Sequence, residues 1–272
     1  MTRLRLPTYF LSHGAGPWSF MEGEFRLRFQ TLEHALGQIG KELEDVESIL
    51  VVSAHWEERG FAISSGASPG MIYDYYGFPP YTYNVHYKAP GSPALAHRVQ
   101  QLLESGGIKP RLDPNRGYDH GTFGMMKPLR PKADKPIVQL SLHRNLDPEL
   151  HFAVGRMLMP LRDEGAAILG SGQSFQNLGL RDARAIEPSA AFDAWLQQTV
   201  VHSSPDERHK KLMNWEDAPY ARVAHAREEH LIPLMVAAGA AGEDAAECIY
   251  HEQLWGFMTA ASFRFGRPPR AH

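Results

Sequence analysis

Ser48-Ile49-Leu50-Val51-Val52-Ser53-Ala54-His55-Trp56 is the stretch on which the reading of the fold turns. Its first half is nearly all apolar and β-branched, the composition of a strand covered on both faces. Its second half drops to small residues and then a histidine. Three further runs share this design. Thr8-Tyr9-Phe10-Leu11 leads into Ser12-His13-Gly14-Ala15-Gly16. Ile137-Val138-Gln139-Leu140 ends in Ser141-Leu142-His143. Ala166-Ala167-Ile168-Leu169 runs into Gly170-Ser171-Gly172-Gln173-Ser174-Phe175-Gln176-Asn177. Between them the spacing predicts helices over residues 25–43, 93–103, 149–162, 190–201 and 229–238. Strands alternating with helices imply an α/β sandwich, a single domain over residues 1–272 with a central, largely parallel or mixed sheet flanked by helices.

Composition narrows the function. The chain has 272 residues, 43% hydrophobic and 22% charged, an ordinary globular balance. Its formal net charge of −3 argues against nucleic-acid and membrane partners. No apolar run approaches the roughly 18 residues that span a bilayer. Arg3 and Arg5 precede a short apolar stretch interrupted by Pro7, which is no signal-peptide core. The lone Cys248 can form no intrachain disulfide, and a cytoplasmic location is expected. Its surroundings, Ala245-Ala246-Glu247-Cys248-Ile249-Tyr250, read as helical, with an inert thiol.

Fourteen histidines stand out, because imidazole is the commonest metal ligand. In open α/β sheets, ligands bind beyond the carboxyl ends of the strands. His13 and His55 follow two strands at matching ends, among small residues that leave room for a ligand. Together they form half of a metal site, and a catalytic metal needs a third ligand. His86, His97, His120, His225, His230 and His251 are the candidates. Of these, His97 falls inside a helical pattern and, like His34 and His151, reads as a surface residue. His202, His209 and His272 lie in polar segments with no partner signal. His120, in the Gly-flanked loop Gly117-Tyr118-Asp119-His120-Gly121-Thr122, suits acid–base work. No HExxH, GxSxG, P-loop or GxGxxG pattern is present.

Taken in series, these segments resemble the class III extradiol ring-cleavage dioxygenases, the LigB-like family, and within it the DOPA 4,5-dioxygenase branch. The resemblance rests on Ser12-His13-Gly14, Ser53-Ala54-His55-Trp56, Tyr73-Asp74-Tyr75-Tyr76-Gly77-Phe78-Pro79, Tyr118-Asp119-His120-Gly121-Thr122, Gly170-Ser171-Gly172 and Glu229-His230-Leu231-Ile232-Pro233-Leu234. It implies a mononuclear non-haem metal held by His13, His55 and His230. Iron(II) would be the metal of the active enzyme, and zinc is often found in purified or crystallised members. It implies a small aromatic diol and O2 as reactants, and His120 as an active-site histidine. A homo-oligomer is the protein partner left open.

One departure matters. The family carries a histidine where this chain has Gln176, before Asn177-Leu178. Glutamine hydrogen-bonds but does not titrate. His120 is then the first choice as catalytic base, with Gln176 reduced to hydrogen-bonding. His143 and His225 are assigned to the substrate side, His143 as a displaced proton carrier. Two alternatives stay open: a metal-dependent hydrolase using the carboxylates of His55-Trp56-Glu57-Glu58, and a non-enzymatic relative of the fold. The aromatic run Tyr73, Tyr75, Tyr76, Phe78, Tyr81 and Tyr83 suits either a pocket wall or a buried cluster.

Overall fold

The computed structural model describes residues 5–268, so Arg3 and His272 lie outside the described residues. Each apolar run forms a strand that continues past its apolar core. The strands are β1 (Thr8–Ser12), β2 (Ser48–Glu58), β3 (Ala62–Ser64), β4 (Arg111–Asp113), β5 (Ile137–His143), β6 (Ala166–Gly172), β7 (Ala246–Leu254) and β8 (Met258–Phe265). They form one sheet in the order β4-β3-β5-β2-β6-β1-β8-β7. The centre, β5-β2-β6-β1, is parallel, so its carboxyl ends share one edge. β8 and β7 add an antiparallel hairpin beside β1. β3 meets β5 antiparallel and carries β4 parallel to itself. The sheet is therefore mixed, as the sequence reading allows.

The helical segments are α1 (Glu24–Leu27), α2 (Gln30–Glu42), α3 (Pro93–Ser105), α4 (His120–Leu129), α5 (Pro148–Leu158), α6 (Ile186–Val200), α7 (Pro205–Met213), α8 (Ala221–Ala224) and α9 (Ile232–Ala241). Several starts carry their own signals. Ser92 accepts from Leu95 N at 3.1 Å before Pro93, and Asp147 accepts from Leu150 N at 2.7 Å before Pro148. Successive strand residues face opposite layers. Leu50 and Val52 pack with residues of α3, α5, α6 and α9. Ile49 and Val51 pack with residues of α2 and α4 on the other face. Every residue of α9 is buried, as expected of a helix apolar all round.

Three expectations are corrected. The predicted helix over 25–43 breaks into α1 and α2, and Phe29 at the break is buried. The stretch around Cys248 is the strand β7, because pairing with β8 outweighs the helix preference of its alanines and glutamate. His151 is fully buried rather than on the surface.

His151 has both ring nitrogens committed. Nδ1 donates to the Asp147 carbonyl at 2.7 Å, and Nε2 accepts from His143 N at 3.1 Å. Burial pushes its pKa from 6.5 down to about 4, against the hydrogen bond to Asp147. The native state keeps the ring neutral while the unfolded chain protonates it. Its contribution is thus complete above pH 6.5 and is lost as pH falls toward 4. That depression corresponds to on the order of 3 kcal/mol. Urea unfolding of wild type and His151→Gln across pH 7.5 to 4 is expected to show a stability difference that narrows with acid. A constant difference contradicts this account.

Candidate metal centre

Three local devices bring histidines to the carboxyl edge of the parallel strands. His13 is the first residue past β1, and its N–H continues the ladder to Gly172 O at 3.2 Å. Its own carbonyl accepts from Trp18 Nε1 at 2.8 Å. His55 lies inside β2, not after it. Between Val52 and Glu57 the register with β5 shifts, because β2 advances five positions while β5 advances two, from Leu140 to Leu142. The excess residues bulge away from β5 and carry His55 to the edge. His230 arrives from the turn before α9. A Cβ on Gly172 would lie 2.1 Å from His230 O, so only glycine lets that backbone rest on β6. Gln173 N then donates to the same carbonyl at 3.0 Å. The Gly-Ser-Gly segment is a seat for another backbone, not a phosphate loop.

The imidazoles converge. His55 Nε2 is 3.3 Å from His13 Nε2 and 3.2 Å from His230 Nε2. Two nitrogens each about 2.1 Å from one ion sit roughly 3.0–3.4 Å apart at octahedral to tetrahedral angles. The three therefore fit one face of a metal ion. Burial first, then the neighbouring imidazoles, hold His13 and His55 far below the ordinary histidine range, in the neutral form that ligates. Glu229 Oε1 lies 3.1 Å from His230 Nδ1, on the ring edge opposite the cluster.

His120, the first residue of α4, stands beside them, its ring centroid 3.9 Å from that of His55. Asp119 caps α4 and is wholly buried, taking Ser53 Oγ–H at 2.8 Å and Arg116 Nη2 at 2.7 Å. Burial and Asp74 push its pKa up, against Arg116. Asp74 reaches both neighbouring rings: Oδ2 is 3.4 Å from His55 Nδ1, and Oδ1 is 2.9 Å from His120 Nδ1. Burial raises its pKa, but contact with His120 outweighs that and holds the carboxyl below its usual range.

These groups open onto a cavity of about 480 Å³. Gln176 lines it, as do Tyr75, Tyr76 and Phe78 of the aromatic run. Tyr75 stands 5.9 Å, edge-on, from His120. The opposite wall is Phe29, Leu254, Trp255 and Met258. That wall is not visible in the sequence reading, because it belongs largely to the unforeseen β7–β8 hairpin. Asp74 and Glu229 were also missed as partners of the imidazoles; Glu229 adjoins His230 in sequence, whereas Asp74 has no histidine near it in the chain and gave no such signal.

Two predicted substrate-side residues are elsewhere. His225 is fully buried, donating Nε2–H to Ser174 O at 3.1 Å, with burial pushing its pKa down to about 3. It lies behind the Gln176 strand bridge, not on the cavity wall. His143 accepts from Asn145 N at 3.1 Å and rests against Phe61 near α5. The carboxylates of the hydrolase alternative are occupied as well. Glu57 is held by both terminal nitrogens of Arg227 at 2.5 Å, and Glu58 lies 3.1 Å from Arg111. Neither lines the cavity.

Comparison with known proteins gives a consistent result. Residues 7–266 match the family described as the catalytic LigB subunit of aromatic ring-opening dioxygenase. The chain is 37% identical over 266 residues to a 4,5-DOPA dioxygenase extradiol of Beta vulgaris, covering 95% of this chain and 96% of the relative. It is 35% identical to a protein of the same name from Escherichia coli (strain K12), covering 88% and 87%. It is 36% identical to the dioxygenase tasH of Hapsidospora irregularis, covering 94% and 84%. The crystal structure of an uncharacterized protein from Escherichia coli K12 superposes with a TM-score of 0.77 at 30% identity, covering 96% of this chain and all of that one.

Proposed function

The chain belongs to the LigB family of aromatic ring-opening dioxygenases, extradiol-type oxidoreductases, and we propose that it opens a catechol-type ring with O2 at an iron(II) held by His13, His55 and His230. The observation that carries this reading is the approach of the His13 and His230 Nε2 atoms to 3.3 and 3.2 Å of His55 Nε2 at the mouth of an aromatic-walled cavity. Bound there, iron(II) would supply chelation of the two diol oxygens and the electron path between ring and O2.

The chain's own residues do the rest. Tyr75, Phe78 and Trp255 wall the cavity and exclude water from a flat aromatic substrate. His120 has Nδ1 beside Asp74, which leaves Nε2 to take a phenolic proton. Gln176 hydrogen-bonds without titrating. At the rim stands Arg181, exposed and without an acidic partner among the described residues. A carboxylate on the substrate's side chain, as in DOPA, complements it.

Iron(II) reconstitution under nitrogen, followed by catechols in air, tests the reading through oxygen uptake and a yellow ring-opened product. Carboxylated catechols are expected to show the lower KM. Absence of oxygen uptake with every catechol, from protein shown to hold iron, overturns the proposal. Zinc in a purified sample would be an inert occupant of the same three imidazoles.

A further inference from the structure

We propose that Asp74 is a positioning residue shared by His55 and His120, fixing both rings as Nδ1–H tautomers so that each Nε2 presents its lone pair to the cavity. Asp74 lines the cavity from the loop between β3 and α3. One carboxylate oxygen is 3.4 Å from His55 Nδ1. The other is 2.9 Å from His120 Nδ1 and accepts the His120 main-chain N–H at 2.9 Å. An ionised carboxylate only accepts, and a neutral imidazole carries one N–H. The proton of each ring is therefore drawn to the nitrogen facing Asp74.

The consequence for His55 is specific. Its Nε2 faces Nε2 of both His13 and His230. A proton there would fill the space of a metal ion. His13 has no comparable guide: its Nδ1, like that of His120, makes no hydrogen bond, but unlike His120 it has no described carboxylate paired with it. The tautomer of His55 thus depends on Asp74 alone among the described carboxylates near it. The loop is built to hold this position. Ile72 N and Tyr118 N bond to Tyr118 O and Gly70 O, both at 2.8 Å, and Tyr73 Oη donates to Val85 O at 2.8 Å.

Asp74→Asn is nearly isosteric but can turn an NH2 donor toward His55 Nδ1, favouring the Nε2–H tautomer. Zinc titration of the metal-free protein against a chelating dye is expected to show 10–100-fold weaker binding, with the metal-free Tm unchanged. Long-range ¹H–¹⁵N correlation is expected to move the His55 proton from Nδ1 to Nε2. Asp74→Ala, which removes both oxygens without adding a donor, is the second variant and is expected to weaken zinc binding by the same order. Wild-type zinc affinity in either folded variant, or an unmoved His55 tautomer in Asp74→Asn, overturns the proposal. Its activity arm rests on the ring-opening reading: at saturating iron, kcat falls while KM for the catechol holds. If the wild type opens no ring, that reading fails, while the zinc and tautomer measurements still decide the role of Asp74.

Discussion

His13→Ala protein is expected to emerge from iron or zinc reconstitution with no stoichiometric metal and no ring-opening activity. His13 is 2% exposed, and its Nε2 is one of the three imidazole nitrogens that meet at the cluster among the described residues. Two imidazoles leave an ion with too few protein ligands to compete with water and buffer. Changing a residue beyond the direct ligands typically costs about 10–100-fold in affinity or activity. Removing a ligand is expected to exceed that, with turnover down by at least about 10³-fold. The fold is expected to survive, because the metal-free cluster buries neutral imidazoles at a desolvation cost that alanine avoids. Metal analysis beside a thermal melt separates the cases. A His13→Ala protein that keeps one tightly bound metal per chain removes the three-histidine centre.

The second large effect concerns the proton. His120→Ala is expected to retain its metal and lose turnover by about 10²–10⁴-fold, the range for a positioned acid–base group. His120 is 7% exposed, tilted against His55 with ring centroids 3.9 Å apart and edge-on to Tyr75, so it borders the space a ring would occupy. Gln176 lines the same cavity and has no ionisable group. Introducing Gln176→His into the His120→Ala background is expected to recover part of the loss. If His120→Ala instead loses its metal, the residue is a ligand; if kcat is unchanged, the proton is carried elsewhere.

How much of this could be read from the chain differs residue by residue. β2 was legible because its apolar half is continuous, yet its reach to Glu58 was not, since Ser53-Ala54-His55 interrupts the apolar run where the bulge begins. β7 was illegible because Ala246 and Glu247 favour a helix in isolation, and pairing with β8 makes it a strand. With it went the Trp255 wall of the cavity. His225 and His143 show the reverse error. Both sit near strand or loop ends in sequence, but one is locked beneath the Gln176 segment and the ring of the other rests against Phe61. Position along the chain cannot tell which side of a strand end a ring will take.

The amino-acid sequence by itself determined the alternation of buried strands and amphipathic helices, and the drop to small residues and histidine where strands end. Those are local properties, set by side-chain volume, branching and polarity within a few residues. The tertiary structure alone decided which imidazoles meet. That outcome depends on the β2 register shift, on Gly172 admitting the His230 backbone, and on Asp74 standing beside two rings. Each is a contact between residues far apart in the chain, within atomic distances that no local pattern encodes.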